Sequence, residues 1–428
     1  MVSVPRLLCL ALSLAQVISA TELIVSFQRW VDRVGIRTVC RVEADAFGGF
    51  RLMANENIAV GQTFLEIPLQ LCFSPILSED LQHPTRYSGL EWPTQLAIQL
   101  LEEKFRPQSL FSPYIQLLPP LERFYALPHN WDEPWLEPWN FPDLLEHHTS
   151  KRNFIESEWN NLQAIFEMQG KDDALRWMNI DDFQWAMDCI ATRNIRLELG
   201  QSKMNALVPM LDFMNHNDQV KSEFFLSSDG RTVGVRYIGG EGVGKDEEVF
   251  LNYGRLSALK ALRDYGFLPP LNSADSFPVT IPRKLYSKYL MQEVLGTDAN
   301  SGQASPRPLV LLREMGIQYA SPFDIAAQGV PQELLEAMRV LLATADELIE
   351  ARKLFLSTNR VGRISESNES QVRNAITETL TASTAGPEEG PASPFDSEPR
   401  YECAMGMLKR LQRRRRTVLQ SAADRLIP

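Results

Sequence analysis

Cysteine is scarce and scattered. Cys9, Cys40, Cys72, Cys189 and Cys403 are the five in the chain, and no two form a CxxC pair. That spacing excludes a zinc ribbon and a disulfide-dense secreted fold, and predicts isolated, mostly buried thiols. Positive charge is also short. Lys and Arg total 43 against 54 Asp and Glu, a formal net charge of −11. Nucleic-acid-binding domains are ordinarily basic, so no nucleic-acid partner is expected. After residue 20 no apolar run is long enough to span a bilayer, so no stable membrane span is expected in the mature chain. No repeat of fixed period is present. What remains is ordinary for a globular protein: 428 residues, 44% hydrophobic and 23% charged. Such a chain can bury a sizeable core and is long enough for two or three structural units.

Met1–Ala20 differs from the rest. Arg6, the apolar run Leu7–Val17 and the small residues that follow have the form of a signal or targeting segment. It fits the secretory pathway or, in an organism with complex plastids, the first part of a plastid address. Beyond it, Phe27–Pro75 has a β-rich pattern, with a strand-turn-strand over Ile58–Pro68. Residues 76–182 read as helical, with helices over Trp92–Phe105 and Leu144–Gln169. Between these, the Pro- and Trp-rich stretch Leu118–Pro142 is expected to cover a surface. Phe183–Pro270 is mixed. It has helical spacing over Phe183–Leu199, paired strands Phe224–Leu226 and Thr232–Ile238, a strand Glu248–Tyr253 and a helix Ser257–Tyr265. From Leu271 onward the pattern is all-helical, including one helix over Pro331–Asn359 and a last helix over Tyr401–Leu426. The Arg413–Arg416 run on that last helix reads as a solvated face. Residues 381–400 read as a mobile loop.

Two clusters carry polar groups suited to chemistry. In Asn205–His216 an apolar strand runs into Pro209, followed by Asp212, Asn215 and His216 at i, i+3 and i+4. On a helical turn these would share one face. They read as hydrogen-bonding groups for a polar ligand, as three ligands of an incomplete metal site, or as a capped turn with a structural histidine. The second cluster is Glu247–Gly254 followed by Asp264–Phe267, with the pairs Tyr253-Gly254 and Tyr265-Gly266 12 residues apart. Glycine after each tyrosine permits a left-handed turn. Two phenols could therefore point into one cavity, or each could be a core aromatic.

In order, these segments resemble the C-terminal half of a SET domain. Asn215-His216 resembles its NH motif and Tyr265-Gly266-Phe267 its YGF motif. Val208-Pro209…Asp212…Asn215-His216, Glu247…Val249…Tyr253 and Asp264–Phe267 are most similar to the subgroup of Rubisco large-subunit lysine methyltransferases. Gly49–Ala54 with Ile58–Pro68 resembles the SET N-terminal strands, and Phe183–Arg193 the helix that carries a cofactor-contacting arginine.

The resemblance implies an α+β fold: a SET domain with a β-rich, knot-like core over 27–270, a helical insert over 76–182, and an all-α substrate-binding domain over 271–428. It also implies an S-adenosylmethionine-dependent protein N-methyltransferase, without a metal, acting as a monomer on a protein substrate. Lysine is the expected acceptor; a protein histidine, or a catalytically silent binding module, are the alternatives. By the same resemblance Gly49, Phe50, Arg51, Arg193, Asp212, Asn215 and His216 would hold the cofactor, and Tyr253 and Tyr265 would face the transfer site. The family commonly reads G-x-G in its first cofactor loop. Here Gly49-Phe50-Arg51 puts an arginine at the second glycine, which either crowds the cofactor or adds a contact.

Overall fold

The computed structural model describes residues 20–45, 49–75, 87, 89–199, 202–228, 230–295, 307–387 and 398–426. The expected signal segment lies outside these residues, except for Ala20. The chain divides into two compact units. One is Met1–Asn130 with Glu146–Arg255, and the other is Trp131–Leu145 with Leu256–Pro428. The packing boundary thus falls at 255–256, whereas the expected sequence boundary was 270.

The first unit begins with a helix over 20–34, in the stretch expected to be β-rich from residue 27. Its apolar residues Phe27, Trp30 and Val31 are fully buried, and that burial decides its conformation. A four-stranded antiparallel sheet follows, made of β1 (Arg37–Thr38), β4 (Thr63–Pro68), β7 (Lys221–Leu226) and β8 (Thr232–Gly239), in the order β1-β4-β8-β7. Two hairpins stand apart from it: β2 (Cys40–Ala44) with β3 (Phe50–Ala54), and β5 (Ile195–Leu199) with β6 (Ser202–Ala206). Helix α1 (Trp92–Phe105) packs on a helix over Ile180–Arg193, and Lys104 bonds Asp182 between them at 2.9 Å. The Ile180–Arg193 helix starts at Asn179 with a reciprocal capping box to Asp182.

The segment 247–252 holds the site together, and it is not a strand of one sheet. Its first half lies against β3, where Ala54 N–H donates to Glu247 C=O (2.9 Å) and Val249 N–H to Leu52 C=O (2.8 Å). Its second half lies parallel to 215–217, where Leu251 N–H donates to Asn215 C=O (2.8 Å) and Asn217 N–H to Leu251 C=O (3.0 Å). At the change of partner the Tyr237 hydroxyl meets both backbone groups of Phe250, at 2.8 and 3.0 Å. The expected strand Glu248–Tyr253 is therefore a thread between two neighbours. Alternating apolar residues predict an extended chain but not a switch of partner halfway along it.

In the second unit, Trp131, Trp135 and Trp139 are almost wholly buried and join Phe277, Leu312, Met338 and Leu408 in its core. The stretch expected to cover a surface is core instead, because its three tryptophans carry large apolar rings that are at most 4% exposed. The region from Leu271 is not all-helical either. β9 (Ser276–Val279) pairs antiparallel with β10 (Phe323–Ala326). The expected helix Pro331–Asn359 is two helices, Gln332–Leu342 and Ala345–Thr358. Thr344 interrupts it by capping the second helix in a capping box with Glu347. The last helix runs Pro399–Asp424. Its arginine run is not simply a solvated face. Arg414 donates to Pro269 C=O, Arg415 to the carbonyls of Asn140 and Ala385, and Arg416 to Gly386 C=O. Among the described residues, Cys40, Cys72 and Cys189 are buried free thiols and Cys403 is half-buried, and no helix is long and apolar enough to cross a membrane.

Candidate active site

Threading brings three stretches of the first unit side by side: the start of β3, residues 210–216 and residues 248–253. Arg193 is the last residue of the Ile180–Arg193 helix, where a cation is favoured by the helix dipole. Its Nη1 donates to Asp212 C=O at 2.7 Å and lies 3.6 Å from Asp212 Oδ2. The guanidinium stands 5.9 Å from the Phe213 ring centroid. From the other side, the fully buried Tyr114 donates its hydroxyl to Asp212 Oδ2 at 2.9 Å. Burial pushes the Asp212 carboxyl up to about 6, against the pull of Arg193 and Tyr114. Burial and the charge of Asp212 push the Tyr114 hydroxyl well above the usual phenol range. Two buried atoms of this cluster have no hydrogen-bond partner: the donor Arg193 Nε and the acceptor Asp212 Oδ1.

The backbone that presents Asp212 is strained. Met210, fully buried and not glycine, has φ of +73°. Leu211–Phe213 then form a single 3₁₀ turn, and Met214 returns to an extended conformation. Asp212, Asn215 and His216 therefore do not share a helical face. Asp212 turns to Tyr114 and Arg193, whereas Asn215 and His216 meet residues 248–253.

Asn215 Nδ2 donates to Glu248 Oε1 at 2.7 Å. The other Glu248 oxygen lies 3.7 Å from an Arg51 nitrogen, and Arg51 also lies 3.7 Å from Glu43. The arginine at the family's second glycine position is thus held between two carboxylates. His216 Nδ1 accepts from Tyr253 N–H at 3.1 Å, with the ring centroids 5.3 Å apart. Burial lowers the imidazole pKa, in keeping with a neutral ring acting as acceptor. Tyr253 donates its hydroxyl to Met214 C=O at 2.6 Å, and Gly254 after it takes φ of +100°. Gly49 N–H donates to Asp45 Oδ1 at 2.8 Å and its C=O accepts from Asp45 N–H at 2.9 Å. A Cβ on Gly49 would meet Asp45 Oδ2 at 2.6 Å, so a larger residue there would have to displace the Asp45 carboxylate. Phe50 packs edge-on against Phe213 at 6.2 Å.

Tyr265 belongs to the second unit. It ends the helix Ala258–Tyr265, capped at Ser257, and Gly266 terminates that helix at φ of +74°. Burial, helped by Asp264, raises its hydroxyl pKa. Asp264 is itself held below the usual carboxylate range by Arg263 and Lys260, both at 2.6 Å.

Tyr114, Glu43 and Glu248 were not singled out from sequence. Tyr114 sits in a helical stretch with no motif around it. Glu248 adjoins Glu247, which looks equally prominent; Glu247 instead accepts from Gly244 N–H and closes a turn. The available signal was Arg51, a cation that needed a carboxylate across the hairpin.

These donors and acceptors match the chemistry of a zwitterionic amino-acid group. Arg193 Nε can donate to a carboxylate. Asp212 Oδ1 and the Asn215 carbonyl can accept from an ammonium. No group of three metal-ligating side chains occurs among the described residues.

Residues 309–386 match the family described as Rubisco LSMT substrate-binding. By structure the chain is similar to Rubisco LSMT bound to sinefungin and monomethyllysine, with a TM-score of 0.64 at 19% identity, covering 94% of this chain and 91% of that one. The chain has the fold of the Rubisco LSMT SET-domain structures. By sequence it is 22% identical to the Rubisco large-subunit N-methyltransferase of Nicotiana tabacum, over 84% of this chain and 72% of that protein. It is 26% identical to the fructose-bisphosphate aldolase-lysine N-methyltransferase of Arabidopsis thaliana, over 63% of this chain and 58% of the relative. Both relatives are described as chloroplastic.

Proposed function

We propose that this SET-domain protein transfers methyl groups from S-adenosylmethionine to a nitrogen of a protein side chain, with lysine the acceptor. The observation that carries this reading is the pair of unsatisfied atoms at Arg193 and Asp212, a buried donor and a buried acceptor within one cluster. They complement the carboxylate and ammonium of the cofactor's amino-acid end. Arg193, held by Asp212, would take the carboxylate; Asn215 and Asp212 would take the ammonium. His216 and the Gly49–Arg51 stretch would border the remaining polar edges, and Tyr253 would fix the 214–216 backbone through Met214. When bound, the cofactor would supply a sulfonium methyl group that the neutral amine of the acceptor displaces in line, forming the N–C bond as the S–C bond breaks and the neutral thioether leaves, so alignment matters more than acid–base power. Tyr265, with its pKa raised, stays protonated near neutral pH and would orient the acceptor nitrogen by hydrogen bonding. The aldolase-lysine methyltransferase and the structure bound to monomethyllysine support lysine, and the compartment of the two sequence relatives supports a plastid location.

Incubating the source organism's extract with the protein and labelled S-adenosylmethionine, then analysing labelled bands by mass spectrometry, tests the reading. It predicts methyllysine on a protein. Tyr265→Phe should keep cofactor binding and lose most of the transfer. Methylhistidine instead would overturn the acceptor, and full activity of Tyr265→Phe would overturn that residue's role.

A further inference from the structure

A chain of alternating charges crosses the first hairpin and ends on Asn215. Arg41 bonds Asp246 at 2.9 Å and Glu43 at 2.7 Å. Glu43 faces Arg51 at 3.7 Å, and Arg51 faces Glu248 at 3.7 Å. Glu248 then accepts from Asn215 Nδ2 at 2.7 Å. Arg51 is the link that the family's usual glycine would not provide.

The chemistry of the last step fixes an orientation. A primary amide can present either its NH₂ or its carbonyl, and the two ends differ little in shape. An ionised carboxylate only accepts. Glu248 therefore holds the NH₂ end of Asn215 and turns the Oδ1 end away. That oxygen can then receive only a donor.

We infer that Glu248 is a positioning residue that sets the Asn215 amide to recognise the ammonium of the cofactor, and that Arg51 holds Glu248 in place for this task. The inference rests on the reading of this site as the cofactor site. Glu248 acts through Asn215, so its removal affects recognition of one functional group rather than binding as a whole. Arg51 works at 3.7 Å, through charge rather than a hydrogen bond, so its part weakens with salt.

Calorimetry with two ligands isolates the ammonium: S-adenosylhomocysteine and its desamino analogue, which differ only there. Wild-type protein should favour the former by about tenfold or more, the range of one hydrogen bond to a charged group. In Glu248→Ala the preference should fall to about threefold or less, with affinity for the desamino analogue little changed. Glu248→Gln keeps an accepting oxygen for Asn215 and should retain most of the preference. Where Glu248→Ala does not fold, Glu248→Leu fills the same space without an acceptor and gives the same readout. Arg51→Gly should lower the preference partway, and raised salt should lower it in wild type but not in Arg51→Gly. Full preference in the Ala or Leu variant would overturn the inference. So would a wild type that binds both ligands equally, and in that case the cofactor reading stands. A wild type that binds neither ligand overturns the cofactor reading, and this inference with it.

Discussion

Arg339 in the second unit meets Glu369 side-on, with Nε to Oε1 at 2.5 Å and Nη2 to Oε2 at 3.2 Å, and its Nη1 donates to Val361 C=O at 3.0 Å. Asn368 closes the group by donating to Arg339 C=O. Arg193 in the first unit also faces a carboxylate, but it makes one close bond, to a backbone oxygen. It stands 3.6 Å from the Asp212 carboxylate and leaves Nε without a partner. The fully bonded arginine is a cross-link between helices. The partly bonded one keeps a donor in reserve beside an acceptor also in reserve, an arrangement a fold tolerates where a ligand completes it.

The comparison breaks most sharply by mutation of the cross-link. Arg339→Met leaves Glu369 buried without its bidentate partner and should cost about 3–5 kcal/mol of stability, read by denaturant unfolding. Equal stability would show that Arg339 is not the structural member of the pair. Arg193→Met should behave in the opposite way. Cofactor affinity should fall by more than about tenfold, while stability changes by roughly 1 kcal/mol, because Asp212 can take up a proton instead of standing buried and charged. Unchanged affinity would place the ligand elsewhere.

A third effect depends on pH, and its two parts have opposite signs. Folding raises the Asp212 pKa from its ordinary value to about 6, so near pH 5 the unfolded chain ionises this group while the folded chain keeps it protonated. Relative to Asp212→Asn, stability should therefore decline by about 1–3 kcal/mol as pH rises from 4 to 7. Cofactor affinity should move the other way, falling up to about tenfold from pH 7 to pH 5 as Asp212 protonates. Affinity that is flat with pH in wild type would remove Asp212 from the binding group. The smallest effect is expected from Tyr114→Phe. Loss of one buried hydrogen bond should cost about 1 kcal/mol and move the affinity midpoint to higher pH, since the Tyr114 hydroxyl helps to keep Asp212 ionised. A midpoint shifted downward would reverse that assignment.

Motif order grouped Arg193, Asp212, Asn215, His216 and Tyr253, and these five lie in one unit, whereas Tyr265 lies in the other. The helices Trp92–Phe105 and Ala258–Tyr265 were legible for local reasons, a 3.6-residue apolar period in one and a Ser cap with a Gly stop in the other. What stayed hidden depends on contacts far apart in sequence. Tyr114 reaches Asp212 across 98 residues, and Arg415 reaches Asn140 across 275. No local pattern announces such a partner. The buried tryptophans at 131, 135 and 139 misled for the same reason. Their surroundings in sequence are polar and Pro-rich, and only the second unit's core explains where they go. The strands β9 and β10 are four residues each and pair with one another across more than 40 positions, too short and too distant to leave a period-2 signal.

The central claim is that Arg193 is held incomplete so that a zwitterionic cofactor can complete it. Calorimetric titration of S-adenosylmethionine into wild type and Arg193→Met at pH 7.5 tests it most directly. The account predicts saturable binding to wild type and a loss of more than about tenfold in the variant, with both proteins folded. Equal affinities in the two proteins, or no binding to wild type at millimolar cofactor, would contradict it.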